Sequence, residues 1–163
     1  MPIKDPKDLF LVMLSDLRHG AERSNKIYQE LSQIAQDPDV KEALQARVFV
    51  SDQILNKLDE CFKLVGEQPV KATGRLYDVF VEDFRRELGE IQSPEAKRLF
   101  VLAKANRLAH VRIGEYVALI AAADMTGHYG VGVLLESCLA DKLAFAERTR
   151  RLIRERVRER LAA

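Results

Sequence analysis

The sequence is poor in residues that break or cross-link secondary structure. Its 163 residues include 8 glycines, 5 prolines and 2 cysteines, and it has no tryptophan. So few glycines and prolines argue against a fold of many strands and tight turns. Cys61 and Cys138 belong to no CxxC motif, and both fall on apolar helix faces. We expect buried free thiols at these positions, with a disulfide as the alternative.

Long apolar runs and a targeting segment are also missing. The longest apolar candidate, Tyr116–Ala123, is far shorter than the roughly 18 residues that a membrane-spanning helix needs. Residues 1–5 lack the apolar core of a signal peptide. The sequence therefore predicts a cytoplasmic protein with no membrane partner.

Composition and charge indicate one globular domain over residues 1–163. Hydrophobic residues make up 47% of the chain, charged residues make up 31%, and the net charge is +1. This composition excludes a disordered chain. The small net charge also argues against a protein that binds polyanions over its whole surface.

The few breakers are widely spaced, and the segments between them have helical periodicity. These segments run from about Asp5 to Gln36, Pro38 to Val65, Gly74 to Leu88, Pro94 to Asp124 and His128 to Glu159. Four of them are long, and the short third segment joins the second to the fourth. We predict an all-α, antiparallel four-helix bundle with an additional short helix in the crossover, as in ferritin-like bundles.

Four segments carry a resemblance to a known family. They are Leu9–Asp16, Lys57–Gly66, Leu108–Tyr116 and Leu134–Asp141. In this order and spacing, the chain resembles the YciF/YciE-like ferritin-like proteins of bacteria, which are stress-associated and have no established function. The family's AEK, HLEETxGQ, EHYE and EEEK motifs supply carboxylate and imidazole ligands to metal ions inside the bundle.

The resemblance places these ligand positions on the first two helices of this chain. The AEK glutamate falls on Ala21, and a slip of one residue would restore it as Glu22. In the second helix the glutamates fall on Phe49 and Val50, and the polar ligand that follows falls on Asp52.

The same transfer gives the positions on the fourth and fifth helices. The EHYE motif becomes Ala109-His110-Val111-Arg112, and the EEEK motif becomes Ala140-Asp141-Lys142-Leu143. Two divalent metal ions need about four carboxylates, whereas a guanidinium beside them stays charged and repels them. We therefore expect that the metal site is lost and that the chain needs no cofactor. The resemblance then implies a non-enzymatic bundle with a structural or interaction role in a stress response.

An enzymatic alternative uses the polar residues that remain at or near these positions. His110, Asp52, Asp141 and Glu22 could bind iron or manganese in a redox or peroxide-handling protein. Bound metal would distinguish this alternative from the lost site.

Two arginines, Arg47 and Arg112, lie on stripes that should face inward. A buried charge without a partner is strongly unfavourable. We expect internal ion pairs with Asp52, Asp141 or Glu22 where metal ions would otherwise lie. In the alternative, the arginine side chains reach solvent from a helix edge.

The surface offers two further candidates for binding. Seven arginines between Arg148 and Arg160 could bind nucleic-acid phosphates, although Glu147, Glu155 and Glu159 offer them partners within the helix. Two helix faces, Val48–Val50 and Leu99–Leu102, are more apolar than one bundle core needs. A homodimer is the simplest partner for such faces.

Overall fold

A computed structural model describes residues 2–162, except the side chains of residues 156, 159 and 160. Its five helices are α1 (Pro6–Ile34), α2 (Pro38–Val65), α3 (Leu76–Glu90), α4 (Pro94–Met125) and α5 (Tyr129–Ala162). No strand occurs in this part of the chain, so the all-α prediction is confirmed. None of the described helices is long and apolar enough to cross a membrane.

Local sequence signals fix where three of the long helices begin. Asp5, Asp37 and Ser93 are the N-caps of α1, α2 and α4, and each side chain accepts hydrogen bonds from backbone N–H groups of the first turn. A proline follows each cap in the first turn, where its missing N–H costs nothing. At the other end of α2, Gly66 adopts a left-handed conformation with φ of 76° and ends the helix.

The four long helices form a bundle in which every neighbouring pair is antiparallel. One apolar cluster joins the N-terminal halves of α1 and α5 to the C-terminal halves of α2 and α4. Helices α2 and α4 therefore run in the same direction on opposite corners. The connection between them must return along the bundle, and α3 lies in this connection against α1 and α4. The predicted crossover helix is confirmed.

The core consists of two apolar clusters with a polar layer between them. The first cluster contains Ile27, Leu44, Ala109 and Phe145, and the second contains Ala21, Ile54, Tyr116 and Cys138. Between these two levels every long helix places a buried polar residue, and we call this set the polar layer: Ser24, Arg47, Ser51, Arg112 and Lys142.

The inward stripe of α5 differs from the predicted one. Helical spacing predicts an inward stripe through Cys138, Phe145 and Leu152 that also includes Leu134, Asp141 and Arg148, but these last three are only half-buried. At these three positions the next residue is buried instead, and the buried stripe contains Val131, Leu135, Cys138, Lys142, Phe145, Thr149 and Leu152. Asp141 therefore lies beside the core, and Lys142 lies inside it.

Both cysteines are buried and free, as predicted. They belong to the second apolar cluster, Cys61 on α2 and Cys138 on α5. Burial raises the pKa of the Cys61 thiol to about 12, so the group behaves as a small apolar side chain.

Candidate functional site

Arg112 is the largest of the fully buried side chains and is the centre of the site. Its Nη1 donates hydrogen bonds to the Tyr77 hydroxyl at 2.8 Å and to the Glu115 carboxylate. Its Nη2 donates to the Leu17 carbonyl oxygen at 2.8 Å. The guanidinium therefore connects α4 to α1 and α3, while its Nε has no hydrogen-bond partner.

Gly20 makes room for this arrangement on α1. A Cβ atom at this position would lie 2.8 Å from the Tyr77 ring and would collide with Nη1 of Arg112. The Tyr77 hydroxyl donates in turn to the Glu115 carboxylate at 2.8 Å. Glu115 is partly exposed at the edge of the bundle, so its carboxylate keeps contact with solvent.

Arg47 is the second buried cation, and no acidic side chain pairs with it in the described structure. Its guanidinium carbon lies 5.3 Å from the centroid of the Tyr28 ring and 5.8 Å from that of Phe145. Cation–π contacts of this kind stabilise a buried charge only in part. Its Nε and Nη1 atoms are buried and have no hydrogen-bond partner.

Lys142 is the third cation of the layer and is only 2% exposed. Its Nζ lies 4.8 Å from the centroid of the Tyr116 ring. Burial, together with the charges of Arg47 and Arg112, holds the pKa of Lys142 well below its usual range. The Tyr116 hydroxyl is also buried and has no hydrogen-bond partner.

The buried charged residues in and around this site are all basic. Every buried charged side chain in the described part of the chain is a cation: Arg47, Lys104, Arg112 and Lys142. Lys104 lies outside the layer and pairs with Glu87 at 2.7 Å. Within the layer, the nearby carboxylate is Glu115, which is bonded to Arg112. The arrangement favours negative charge and disfavours further positive charge.

The ligand positions that were transferred to α1 and α2 do not share one inward face. Ala21 is buried, but the Glu22 side chain is 44% exposed and pairs with Arg18. Phe49 is 71% exposed, Val50 is half-buried and Asp52 is exposed. None of these side chains brings a donor atom into the layer.

On α4 and α5, two residues of the transferred motifs lie in the layer: Arg112 in the EHYE segment and Lys142 in the EEEK segment. Ala109 is buried one turn before Arg112. His110 is exposed, and its Nδ1 lies 2.8 Å from the Asn106 carbonyl oxygen. Asp141 lies 4.0 Å from Lys57 at the bundle surface.

The predicted internal ion pairs therefore need correction. Both arginines are buried, which overturns the alternative in which they reach solvent. Their expected partners, Asp52, Asp141 and Glu22, form no ion pair with them. Asp52 lies on the outer face of α2, Asp141 lies at the side of α5 near Lys57, and Glu22 pairs with Arg18. Arg112 pairs with Glu115 instead.

The residues of the layer do not fit a metal centre of the ferritin-like kind. Such centres use inward carboxylates and histidines, whereas the layer supplies two guanidinium groups, an ammonium group and two hydroxyl groups. Over residues 2–162, no three His, Cys, Asp or Glu side chains are grouped so that they could hold a metal ion. The four candidate ligands Glu22, Asp52, His110 and Asp141 are accordingly not brought together.

Three residues of the site were not singled out from the sequence. Lys142 lies on the stripe through Leu135, Cys138 and Phe145, which is one of two stripes that the spacing of α5 allows. Glu115 follows Arg112 by three residues, a spacing at which helix side chains meet. Tyr77 comes from the crossover helix, and no local pattern indicates its contact with α4.

Known structures share this fold over almost the whole chain. The E. coli stress protein YciF matches with a TM-score of 0.90 and 16% identity, covering 96% of this chain and 99% of that one. YcfI from Rhodopseudomonas palustris, a candidate structural protein, matches with a TM-score of 0.87 and 23% identity, covering 91% and 94%. Ferritin-like, diiron-carboxylate proteins from Bacillus anthracis match with a TM-score of 0.67 and 18% identity, covering 93% and 99%.

These matches confirm the ferritin-like fold, and at such identities they show the fold alone. A search of curated proteins found no match. The profile of DUF892, described as a domain of unknown function, matches residues 5–162. The chain therefore belongs to the DUF892 family.

Proposed function

We propose that this chain is a non-enzymatic bundle protein with a structural or interaction role, and that buried cations have replaced its di-metal centre. The observation that carries the proposal is Arg112, which is entirely buried and bonded to three different helices in the middle of the bundle. Arg47 on α2 adds a second permanent positive charge at the same level, and the buried Lys142 side chain on α5 lies beside them.

Electrostatics supports the loss of the metal centre. At an effective dielectric constant of about 20, a dication about 5 Å from one guanidinium meets a repulsion of roughly 7 kcal/mol. Two buried guanidinium groups and no buried carboxylate would make this repulsion larger. Metal binding would require both arginines to leave the core, and Arg112 would lose its hydrogen bonds.

The test is the metal content per chain. The full chain is purified without chelator, incubated with Fe²⁺ and Mn²⁺, desalted and measured by mass spectrometry, with a di-iron bundle protein as the positive control. We expect less than about 0.1 ion per chain. Close to two ions per chain would overturn the proposal and favour the redox alternative with iron or manganese.

The interaction part of the proposal is a homodimer through the exposed face of α2. Phe49 is the most exposed phenylalanine on the described surface, and it lines a groove with Gln29, Gln33 and Val48. Asp52 is the one charged residue that lines this groove, and its other lining residues are uncharged. An exposed apolar side chain in such surroundings suits a self-complementary, two-fold contact. The other predicted apolar face, Leu99–Leu102 on α4, belongs mainly to the core, because Val101 and Leu102 are buried.

The dimer can be tested by light scattering coupled to size exclusion. We expect a dimer for the native chain, a monomer for Phe49→Ser and an unchanged dimer for Leu99→Ser, whose side chain is 55% exposed on α4. A native chain that stays monomeric at high micromolar concentration would remove this part of the proposal.

We also propose a cytoplasmic role in a stress response. It rests on the shared fold with the E. coli stress protein YciF. No observation favours nucleic-acid binding by Arg148–Arg160. Arg148 pairs with Glu42, and Glu147 pairs with both Arg150 and Arg151. The side chains of residues 156 and 160 lie outside the described part of the structure.

A further inference from the structure

Four hydrogen-bonding atoms at the level of the polar layer are buried without a protein partner. They are Nε and Nη1 of Arg47, Nε of Arg112 and the hydroxyl oxygen of Tyr116. Buried donors are almost always satisfied, because leaving one without an acceptor costs the free energy of its lost hydration. Unpartnered donors on two permanently charged groups therefore point to an acceptor that the protein chain does not supply.

These groups surround one region of the bundle. The Tyr116 ring contacts two basic groups, with its centroid 5.6 Å from the guanidinium carbon of Arg112 and 4.8 Å from Nζ of Lys142. The centroid of the Tyr28 ring lies 5.3 Å from the guanidinium carbon of Arg47. Burial raises the pKa of Tyr28 to about 12, while the charges of Arg47 and Arg112 both oppose this rise. Both arginines therefore act on the same space between the helices.

The charge of this region is not balanced by protein groups. Arg47 and Arg112 are permanently charged, and Glu115 can offset only one of them. The remaining positive charge is enclosed by four helices and by an apolar cluster on each side. Guanidinium groups are weakly hydrated and present several donors, so they are well suited to binding an anion in such surroundings.

We propose that the polar layer binds one small monovalent anion between the guanidinium groups of Arg47 and Arg112. A halide-sized ion is the class that fits, because Arg112 is wholly buried and a bound ion must lose its water. The hydration cost rises steeply with ionic charge, so phosphate and sulfate are disfavoured. This site goes beyond the proposed structural role, and it does not depend on the homodimer.

Bromide is a suitable probe, because it can be located by its anomalous scattering. Thermal unfolding of the full chain is compared in sodium bromide and in sodium gluconate at equal ionic strength. An ion that binds the native state alone gives a stabilisation that depends on its concentration relative to Kd. We expect the melting temperature to rise more in bromide than in gluconate. A dilution of the bromide by tenfold or less should reduce this difference in melting temperature to half.

Matched variants identify the site. Arg47→Met keeps an unbranched, flexible side chain and removes the charged guanidinium, and it should abolish the bromide-specific rise. Arg107→Met removes an exposed arginine on α4 and should leave that rise unchanged. Equal responses to bromide and gluconate, or a full bromide response in Arg47→Met, would overturn the proposal.

A crystal of the native chain soaked in bromide gives a test that needs no variant. We expect an anomalous peak within about 3.5 Å of nitrogen atoms of both Arg47 and Arg112. A layer that holds only water, with bromide confined to the surface, would overturn the anion site. That result would leave the metal-content test, and with it the proposed function, unaffected.

Discussion

At the scale of single residues, the layer depends on one small side chain. Gly20 lets the Arg112 guanidinium and the Tyr77 ring approach the backbone of α1. Arg112 can then donate to the carbonyl oxygen of Leu17, which lies one turn before Gly20 on α1. A residue with no Cβ atom is therefore required by the close approach of two side chains, in the middle of a helix where glycine is normally unfavourable.

Gly20→Ala should destabilise the protein by about 1–3 kcal/mol, because the added methyl group overpacks the site. Gly114→Ala is the matched control, since a Cβ atom there meets nothing within 4 Å. It should stabilise the protein by about 0.5–1 kcal/mol through helix propensity. Urea unfolding of the two variants checks this contrast, and two changes of the same sign would contradict it.

Lys142 should make stability depend on pH. Its pKa is lowered in the native state, mainly by burial, so the unfolded chain binds more protons between that lowered pKa and about pH 10. The free energy of unfolding of the native chain, relative to that of Lys142→Met, should therefore rise from about pH 6 to about pH 9. Titrations of other groups, including both cysteines, largely cancel in this difference.

The measurement is urea unfolding of both chains across this range in gluconate buffer, without halide. The charges that face Lys142 are Arg112 on α4 and Arg47 on α2, with Asp141 beside it on α5. Parallel stability curves for the two chains would show that Lys142 keeps an ordinary pKa in the folded protein.

At the scale of helices, sequence patterns determined most of the fold and part of the site. Asp37-Pro38 and Ser93-Pro94 predict the starts of α2 and α4. The inward stripes that helical spacing predicts, through Leu14, Leu17 and Ala21 on α1 and through Leu102, Ala105 and Ala109 on α4, are buried. The predicted rotation of α5 about its axis was wrong because apolar residues occupy two faces of this helix. Leu134 lies on one of these faces and Leu135 on the other. The choice between Asp141 and Lys142 was then decided by packing that no single helix encodes.

Asp37 shows how a cap can also join helices. Its carboxylate accepts hydrogen bonds from two N–H groups of α2 and from Arg98 Nε on α4 at 2.8 Å. Arg98 Nη1 in turn donates to the Leu152 carbonyl oxygen on α5 at 3.5 Å. One half-buried carboxylate thus holds the first turn of α2 against two neighbouring helices.

Asp37→Ala should therefore cost about 2–3 kcal/mol of stability, which exceeds the roughly 1 kcal/mol of an ordinary cap. Asp5→Ala removes an exposed cap at the start of α1 and should cost about 1 kcal/mol or less. Thermal unfolding of both variants gives the comparison. Equal losses would show that the contact with Arg98 contributes nothing.

At the scale of the whole molecule, the bundle is two apolar clusters joined through a charged middle. Ferritin-like bundles use this level for inward carboxylates and histidines. Here the same architecture presents Arg47, Arg112 and Lys142, and we propose that these side chains exclude the metal ions that the fold can otherwise hold. The fold was therefore predictable from helical periodicity, whereas the contents of its centre depended on the relative rotation of four helices.

The most direct test of this account is a crystal structure of the native chain grown with Mn²⁺, with anomalous data collected near the manganese edge. The account predicts Arg47, Arg112 and Lys142 side chains in the middle of the bundle and no anomalous peak within about 5 Å of them. A manganese peak between the helices, with these side chains turned outward, would contradict it.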